Sequence, residues 1–350
     1  MTSKKRVALL FGGQSSEHEI SCISAGGVLG AINRERYEPI LIGITRSGKW
    51  VLVDQATTLS IKEGKLPEVD QSLPAITADI HGFSVDGQPL KIDVLFPLLH
   101  GPYGEDGTLQ GLCEMAGIRY VGSGVLASAV AMDKSFAKPI FKASGLKVAS
   151  GVVLKKGEWS AAQITDLTYP LFVKPARSGS SRGTTKVKSF KELAPAIEHG
   201  FEFDTKVLIE EAIVGREIEC GVLELEGVAT PSPIGEIKIL GSHEFYDFEA
   251  KYLDDATAVV FPNDLPEGVE TAIQAAAVTA FKSLGCEGLA RVDFFYLDSG
   301  EIIINELNTM PGFTPTSMYP KLWGHAGVSY NEVITCLIEA ALTRSTHVTR

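Results

Sequence analysis

Residues 288–312, GLARVDFFYLDSGEIIINELNTMPG, contain two runs of alternating apolar residues, 289–297 and 301–308, on either side of Ser299 and Gly300. Both runs are rich in the β-branched and aromatic residues that favour strands. Two such runs joined by a two-residue turn with glycine predict a β-hairpin. The sequence therefore predicts an antiparallel pair of strands with a tight turn at its tip.

This hairpin carries charged and amide side chains in register. Because side chains alternate between the two faces of a strand, Arg291 and Asp293 share a face of the first strand. By the same rule, Ile304, Glu306 and Asn308 share a face of the second strand. A two-residue loop then places Asp293 opposite Glu306. The same register places Arg291 opposite Asn308.

The pair of carboxylates needs a positive charge. Two carboxylates about 5 Å apart repel each other by about 3 kcal/mol at an effective dielectric constant of ~20. Arg291 can supply the charge, which gives a structural ion cluster. Alternatively, Asp293, Glu306 and Asn308 form an oxygen cage for Mg²⁺, which prefers hard oxygen ligands and keeps positions open for water and phosphate. The hairpin alone leaves both interpretations open.

Length and composition predict a multidomain protein that does not bind polyanions. With 350 residues, 45% of them hydrophobic, the chain can bury more than one core, so two or three domains are expected. The net charge of −11 and the scattered basic residues argue against nucleic acid or an anionic membrane surface as a partner. Five widely spaced cysteines without a CxxC pair indicate reduced thiols in a cytosol. No run is apolar for long enough to span a bilayer.

The N-terminal segment has the order strand, glycine loop and helix, at residues 6–11, 12–16 and 20–32. This order opens an α/β layer, in which ligands bind at the carboxyl ends of parallel strands. The loop sequence GGQSS is neither a GxGxxG fingerprint nor a P-loop. Ser16 and Glu19 also have the spacing of a helix capping box, which on local grounds is the simpler explanation of Glu19.

A second buried run, residues 91–101, opens into the loop PYGEDG. His100, Glu105 and Asp106 therefore follow a strand at the edge where α/β folds place binding sites. Taken alone, His100 is better explained as an interior histidine with satisfied hydrogen bonds.

A second α/β unit begins after residues 122–124, where the first domain boundary is expected. Residues 126–144 predict a helix that is kinked or restarted at Pro139. Lys174 lies at the end of a strand, before the glycine-serine loop 179–183. That loop offers N–H and hydroxyl groups to an anion, and Lys174 adds a charge suited to phosphates. A mobile hairpin tip without a ligand is the alternative.

A long polar and aromatic connection occupies residues 242–262. Loops of this length in a compact domain tend to be lids or binding loops. Lys251 and Tyr252 are its candidate functional residues. In the preceding strand, Glu217 or Glu219 would suit a nucleotide ribose, although edge-strand solubility explains both equally well.

Seven stretches together resemble the D-alanine:D-alanine ligases, a family of the ATP-grasp superfamily. Two of them resemble the family's signature stretches, HGPYGEDGTLQG (100–111) and RVDFFYLDSGEIIINELNTMPG (291–312). Five others match in the same order, GGQSSEHEIS (12–21), MDK (132–134), KPARSGSS (174–181), IEEAIVGREIE (209–219) and FYDFEAKY (245–252). The resemblance covers nearly the whole chain.

The resemblance implies an α/β fold of the three-domain ATP-grasp type, with an N-terminal Rossmann-like (pre-ATP-grasp) domain. The expected domains are residues 1–123, 124–214 and 215–350, the last with a lid at 242–262, and ATP would lie between the second and third. In the family's reaction, the carboxylate of one D-alanine attacks the γ-phosphate of ATP, and the amine of a second D-alanine attacks the acyl phosphate. Two Mg²⁺ or Mn²⁺ ions, a cytoplasmic location and a homodimer are implied as well.

The nucleotide and metal residues of the family have matches in this sequence. Its metal ligands match Asp293, Glu306 and Asn308, with Glu306 bridging the two ions. Its phosphate-binding lysines and loop hydroxyls match Lys134, Lys174, Ser180 and Ser181. Its adenine hinge and ribose ligand match Glu210, Glu211, Ile213 and Glu217, of which Glu211 and Ile213 would act through backbone groups.

The residues that would contact the reacting groups also have matches. Arg291 and the N–H of Gly312 match the oxyanion stabilisers. Glu19 would orient the ammonium of the first D-alanine, with His100 close by. This role offers an alternative to the helix cap for Glu19.

The acceptor loop and the lid complete the implied site. Ser317 and Met318 match the loop that receives the carboxylate of the second D-alanine. Lys251 would face the γ-phosphate. Tyr252 would close the lid by bonding with two side chains of the site, Ser180 and Glu19.

Three other functions are weighed against this one. Within the family, D-alanine:D-lactate ligases are the alternative, although the pair Lys251 and Tyr252 is similar to the lid of the dipeptide-forming kind. A different ATP-grasp enzyme, such as a carboxylase subunit, would not need Glu19 or this lid. A non-catalytic nucleotide-binding module would have lost a metal ligand or Arg291, and this sequence keeps them all.

Arg182 departs from the family pattern, which more often has an aliphatic residue after Gly-Ser-Ser. We expect its side chain to point away from the phosphates, so that Arg182→Val leaves the KM for ATP within tenfold of its original value. Steady-state kinetics with varied ATP measures this. A larger rise in KM would make Arg182 a phosphate ligand.

Overall fold

The computed structural model describes residues 3–62, 64–239 and 257–345. Its first part consists of seven strands and one helix, β1 (Lys5–Gly12), α1 (His18–Ala31), β2 (Tyr37–Ile44), β3 (Trp50–Val53), β4 (Ile76–Asp79), β5 (Gly82–Val85), β6 (Gln88–Pro89) and β7 (Val94–Pro97). One sheet has the order β3-β2-β1-β7, with β1 parallel to both β2 and β7. The strands β4, β5 and β6 form a small antiparallel sheet. The carboxyl ends of β1 and β7 lead into the loops that carry Glu17 and His100.

The central part follows as α2 (Thr108–Ala116), α3 (Val125–Met132), α4 (Lys134–Ala143), β8 (Lys147–Val148), β9 (Gly151–Lys155), a 3₁₀ turn (Ala161–Ile164), β10 (Leu171–Pro175), β11 (Thr185–Val187), α5 (Phe190–Phe203) and β12 (Lys206–Glu211). An antiparallel sheet has the order β11-β10-β12-β9. Helix α5 packs its apolar side chains against one face of this sheet. The opposite face is free to border a cleft.

The final part consists of β13 (Arg216–Leu225), β14 (Val228–Ile239), β15 (Thr257–Val260), α6 (Val269–Ser283), β16 (Leu289–Tyr296), β17 (Ile302–Asn308), α7 (Met318–His325) and α8 (Tyr330–Thr343). A six-stranded sheet has the order β15-β14-β13-β16-β17-β8 and is antiparallel except where β17 meets β8. Helices α3, α4 and α6 contribute apolar residues to the core on one face of this sheet. The predicted hairpin is therefore at the centre of the largest sheet.

The prediction of a single helix broken at Pro139 is wrong. The break occurs at Asp133, whose backbone is extended and whose side-chain carboxylate accepts a hydrogen bond from the N–H of Ser135 at 3.0 Å. Pro139 lies inside α4. A proline removes one helical hydrogen bond without necessarily ending the helix, whereas an aspartate cap starts a new one. The new start matters because Lys134 is the first residue of α4.

One apolar core joins the N-terminal sheet to the C-terminal helices. Phe313, which follows the signature hairpin, is fully buried, and its ring centroid lies 5.8 Å from that of Phe96 on β7. It also contacts the rings of Tyr319 and Tyr330, and the Tyr330 hydroxyl donates a hydrogen bond to the Phe313 carbonyl at 2.7 Å. This aromatic cluster fixes the loop after β17 against the N-terminal sheet.

Two further expectations can be compared with the fold. All five cysteines are free thiols, which agrees with the absence of a disulfide framework. Within the described residues, no helix combines the length and the apolar character needed to cross a membrane.

Candidate active site

A cleft of about 420 Å³ lies between the central sheet and the six-stranded sheet. It is lined by side chains from both sheets and from α4. Ten of the sequence-predicted site residues are among them, Lys134, Lys174, Ser180, Ser181, Glu210, Glu211, Ile213, Glu217, Asp293 and Glu306. Residues that are far apart in the sequence therefore border a single cleft.

The β16–β17 hairpin has the predicted register at the site, although its loop is longer than predicted. Asp293 pairs with Glu306 and Arg291 with Asn308. Near the tip, the N–H of Leu297 bonds to the carbonyl of Glu301, so three residues rather than two form the turn. A bulge at Asn305 removes the resulting offset, because the pairing shifts by one residue between Asp293 and Phe294.

The bulge also changes which side chains share a face. Ile304 belongs to the apolar core together with Leu307, so it does not share a face with Glu306 as predicted. Glu306 borders the cleft instead. The extra residue at the bulge, Asn305, places its side-chain oxygen 3.4 Å from the ammonium of Lys174.

Arg291 is the centre of an ion cluster. Its guanidinium donates two hydrogen bonds to the Asp293 carboxylate, each 2.7 Å long. Its Nε also lies 3.0 Å from Oε2 of Glu219 on β13. The side-chain amide of Asn308 donates to Asp293 at 3.2 Å. The hairpin therefore carries an ion cluster around Arg291, with Glu219, which the sequence analysis considered for a ribose, as an additional member.

Lys134 balances the second carboxylate of the hairpin. Its ammonium lies 2.9 Å from Oε2 of Glu306 and donates to the carbonyl of Ser178 at 3.1 Å. Burial alone would lower the pKa of Lys134, but attraction to Glu306 and a hydrogen bond to it outweigh burial and raise the pKa. Lys134 therefore stays charged beside Glu306 and the glycine-serine loop.

Glu210 lies between two lysines. It is 3% exposed, with Oε1 2.5 Å from the ammonium of Lys138 and Oε2 3.1 Å from that of Lys174. Burial favours the neutral acid, but the two ammonium groups dominate and lower the pKa of Glu210 to about 2. Burial lowers the pKa of Lys138 despite its attraction to Glu210. The sequence analysis missed Lys138, although its position one helical turn after Lys134 places both lysines on the same side of α4.

The two hinge residues after Glu210, Glu211 and Ile213, both line the cleft. The side chain of Glu211 accepts a hydrogen bond from the N–H of Thr168 at 2.8 Å. Ile213 lines the cleft beyond the end of β12. Glu217, the predicted ribose ligand, also lines it.

The structure corrects the position predicted for Glu19. Its carboxylate pairs with the guanidinium of Arg46, away from the glycine-serine loop. Glu17 lies at the loop instead, where its Oε1 accepts a hydrogen bond from the Ser180 hydroxyl at 2.5 Å. Helix α1 begins at His18, and two residues in a helix are separated by about 200° around its axis, so Glu17 and Glu19 cannot face the same way.

The capping-box explanation of Glu19 is also wrong. The N-cap of α1 is Glu17, and no side chain caps this helix end. Ser15, not Ser16, bonds locally, because its hydroxyl accepts from the N–H of Glu17 at 3.2 Å. The local sequence leaves the start of α1 uncertain by a few residues. It therefore does not show which of the two glutamates lies before the helix and which lies in its first turn.

His100 is a buried histidine at the border of the site. Its Nδ1 lies 3.2 Å from the carbonyl of Met310, and its Nε2 lies 3.3 Å from the hydroxyl of Ser24. Burial lowers the pKa of His100, which favours the neutral ring with a proton on Nδ1. The hydrogen bonds of both ring nitrogens agree with the prediction of an interior histidine. The ring also lies where the loop that carries Glu17 meets the loop that carries Met310.

Glu105 joins the same junction from the loop after β7. Its two oxygens accept hydrogen bonds from the N–H groups of Gly101 at 2.7 Å and Met310 at 3.1 Å. Burial is the main cause that raises the pKa of Glu105 to about 8, and the carboxylates of Glu17 and Glu306 add to it. Asp106 instead accepts from Tyr103 and Thr108 within its own loop.

The predicted acceptor loop lies beside Gly312. A side chain on Gly312 would approach the Ser317 hydroxyl to 3.1 Å, so glycine permits this contact. Ser317 is the N-cap residue of α7, and its hydroxyl accepts from the N–H of Thr314 at 3.1 Å. The Met318 side chain is buried against Leu322, which leaves its backbone N–H at the helix start as the group that could reach a ligand.

Three predictions cannot be compared in full. Lys251 and Tyr252 lie outside the described residues, as does most of the expected lid at 242–262. Arg182 is exposed, and its backbone carbonyl accepts from the Ser178 hydroxyl at 3.2 Å. Its exposure agrees with a side chain that points outward.

Two protein-family models match the chain, "D-ala D-ala ligase N-terminus" over residues 6–123 and "D-ala D-ala ligase C-terminus" over residues 140–339. A D-alanine–D-alanine ligase from Paenarthrobacter aurescens is 49% identical, covering 99% of this chain and 97% of that protein. Among solved structures, the VanG D-Ala:D-Ser ligase from Enterococcus faecalis is 40% identical, with a TM-score of 0.85, covering 97% of this chain and 100% of that one.

A D-alanine–D-alanine ligase from Bacillus anthracis, solved as a complex with ATP, is 27% identical, with a TM-score of 0.74. The match covers 97% of each chain. Both family models and the full-length relatives extend over the N-terminal sheet, the cleft and the signature hairpin. The chain belongs to the D-alanine–D-alanine ligase family of ATP-grasp enzymes.

Proposed function

We propose that this protein uses ATP to join two D-alanine molecules into D-alanyl-D-alanine for peptidoglycan precursor synthesis. One cleft is lined by Lys134 and Lys174, which suit phosphates, by the buried Glu210 of the hinge and by the charged β16–β17 hairpin. This observation carries the proposal. Membership of the ligase family supports the same reaction. A cytoplasmic location and a homodimer are part of the proposal and rest on the resemblance to the family.

The proposed nucleotide position follows from the charges of the cleft. Adenine would lie at the end of β12, where the ionised Glu210 can accept a hydrogen bond from its amino group and where Ile213 lines the cleft. Glu217 would bind the ribose. Lys134 and Lys174 would contact the phosphates, with the hydroxyls of the glycine-serine loop beside them.

The hairpin residues fit a divalent cation. Asp293 and Glu306 are cross-strand partners, and the Asn308 side chain lies within hydrogen-bond distance of Asp293. Carboxylate and amide oxygens are the ligands that Mg²⁺ or Mn²⁺ prefers, and a two-ion site would share Glu306. When bound there, the cations would neutralise charge on the phosphates during transfer.

The chemistry proceeds in two steps. A carboxylate oxygen of the first D-alanine forms a bond to the γ-phosphorus, the bond to the β,γ-bridging oxygen breaks, and ADP leaves. The amine of the second D-alanine then attacks the acyl carbon and loses a proton. The tetrahedral intermediate collapses as the bond from carbon to the phosphate oxygen breaks, which releases phosphate and the dipeptide.

The protein's own groups would act on the charges of these steps. Arg291 and the N–H of Gly312 would stabilise the oxyanion, since donors held in place before the reaction stabilise developing charge. Glu17 would bind the ammonium of the first D-alanine, a role that the sequence analysis gave to Glu19. Its hydrogen bond from Ser180 links that ammonium site to the phosphate loop.

The acceptor site would lie at the start of α7. The N–H groups there and the Ser317 hydroxyl suit a carboxylate. Lys251 and Tyr252 would close the lid over both substrates, as proposed from the resemblance. The likeness to VanG, a D-Ala:D-Ser ligase, makes D-serine the competing acceptor.

Phosphate release from ATP with Mg²⁺ tests the function. We expect release that depends on D-alanine and not on L-alanine, with D-alanyl-D-alanine as the main product when D-serine or D-lactate is also present. Mass spectrometry resolves the three products. Folded protein that binds ATP but releases no phosphate with D-alanine would contradict the proposed substrate, and a main product with D-serine would reassign the acceptor.

Lys138 is expected to act on ATP binding through Glu210. In Lys138→Met, Glu210 keeps only Lys174 as a partner, so its pKa rises above about 2 and its carboxylate is a poorer fixed acceptor. We expect the KM for ATP to rise about tenfold, which corresponds to the loss of one charged hydrogen bond. Because the pKa of Glu210 is raised, the KM should rise further as the pH falls.

Lys142→Met is the matched control, because Lys142 lies on the same helix but is exposed. It should leave the KM for ATP unchanged at every pH. Thermal unfolding checks that both variants are folded. Equal KM values for Lys138→Met and the original protein would show that Glu210 does not depend on Lys138.

A further inference from the structure

The peptide groups of Met310 are held from two sides by one loop of the N-terminal part. The N–H of Met310 donates to Oε1 of Glu105 at 3.1 Å. The carbonyl of Met310 lies 3.2 Å from Nδ1 of His100, which donates in the neutral tautomer described above. Glu105 and Met310 are separated by 205 residues in the sequence, so this contact joins two distant segments.

Glu105 is itself fixed. Its other oxygen accepts the N–H of Gly101 at 2.7 Å, within the loop that follows β7. Gly101 has a φ of +78°, a conformation that glycine adopts without strain. The carboxyl group of Glu105 therefore bridges two backbone N–H groups, one from its own loop and one from the segment after β17.

Apolar packing also holds the segment after β17, because Met310 is 7% exposed and belongs to the same core as Phe313. The segment begins at Asn308, the last residue of β17, and it ends at the buried ring of Phe313. Among the polar contacts of the described residues, those to Glu105 and His100 are the ones that fix the peptide groups of Met310. Gly312 lies two residues beyond Met310 in this segment.

We propose that Glu105 is a positioning residue that aims the N–H of Gly312 at the reacting oxygen by holding Met310. The inference rests on the proposed function, in which Gly312 is an oxyanion donor. Its physical basis is that an oxyanion donor must be held within a fraction of an ångström before the reaction. The same loop carries His100 beside the proposed site for the first D-alanine, so the clamp would link that site to the oxyanion donor.

Glu105→Gln tests the clamp with almost no change in shape. A carboxamide has one oxygen, whereas Gly101 and Met310 both present N–H groups, so the variant loses one of the two hydrogen bonds. We expect kcat for dipeptide formation to fall about 10- to 100-fold, while the KM for ATP stays within about twofold. This split is expected because Glu105 does not line the cleft in which ATP is proposed to bind. Losing an oxyanion donor outright costs about 100- to 1,000-fold.

Asp106→Asn is the matched control. It makes the same change from carboxyl to amide at the neighbouring residue, where Asp106 accepts hydrogen bonds from Tyr103 and Thr108 in its own loop. Its kcat should stay within about twofold of the original value. An equal loss of kcat in both variants would show that loop stability or charge, and not the clamp, causes the effect.

Amide hydrogen exchange gives a second measurement that does not depend on activity. In the original protein, residues 309–312 should exchange slowly, and in Glu105→Gln they should exchange at least tenfold faster, with no change in Asp106→Asn. Fast exchange of this segment in the original protein would overturn the clamp even if the variant failed to fold.

If the original protein makes no dipeptide but shows the exchange pattern, the proposed function fails and the clamp remains as a structural contact. Unchanged kcat and unchanged exchange in Glu105→Gln would overturn the clamp while leaving the proposed function intact.

Discussion

The bidentate ion pair between Arg291 and Asp293 is the interaction on which the cleft depends. It forms on one face of a hairpin whose other face is in the core of the largest sheet. Glu219 on β13 contacts the same guanidinium, so the pair also ties two neighbouring strands together. Removing one partner of a buried ion pair typically costs about 3–5 kcal/mol, because the remaining charge is left without compensation. The pairing of β16 with β17 places Glu306 opposite Asp293 and Asn308 opposite Arg291.

Opposite charges alternate along the cleft. Glu219, Arg291 and Asp293 form one group, Glu306 and Lys134 a second, and Glu210 with Lys138 and Lys174 a third. Each buried charge has a partner, as a low-dielectric site requires. The arrangement pairs lysines that suit phosphates with carboxylates that suit cations. When ATP and its cations bind in this cleft, the phosphates would replace carboxylates as partners of the lysines, and the cations would replace ammonium groups as partners of the carboxylates.

The sequence predicts the hairpin and the partners on it because strand alternation is a local rule. The pairing of Asp293 with Glu306 is correct although the loop has one more residue than predicted, since the bulge at Asn305 compensates for it. Local patterns do not predict such a bulge. The role of Glu19 is matched through the resemblance, and only the folded chain shows that Glu17, two residues earlier, contacts the glycine-serine loop. The contacts of Lys138 and Glu105 depend on segments that meet only in the folded chain, so the sequence shows the residues but not their roles.

The central claim is that a carboxylate of D-alanine becomes an acyl phosphate in this cleft. D-alanine labelled with ¹⁸O in its carboxylate tests this directly, because the attacking oxygen leaves with the phosphate when the second amine displaces it. Mass spectrometry of the released phosphate measures the transfer. The account predicts one ¹⁸O atom in each phosphate ion formed with the dipeptide. Phosphate without ¹⁸O would mean that water, and not the carboxylate, receives the γ-phosphoryl group, which would contradict the account.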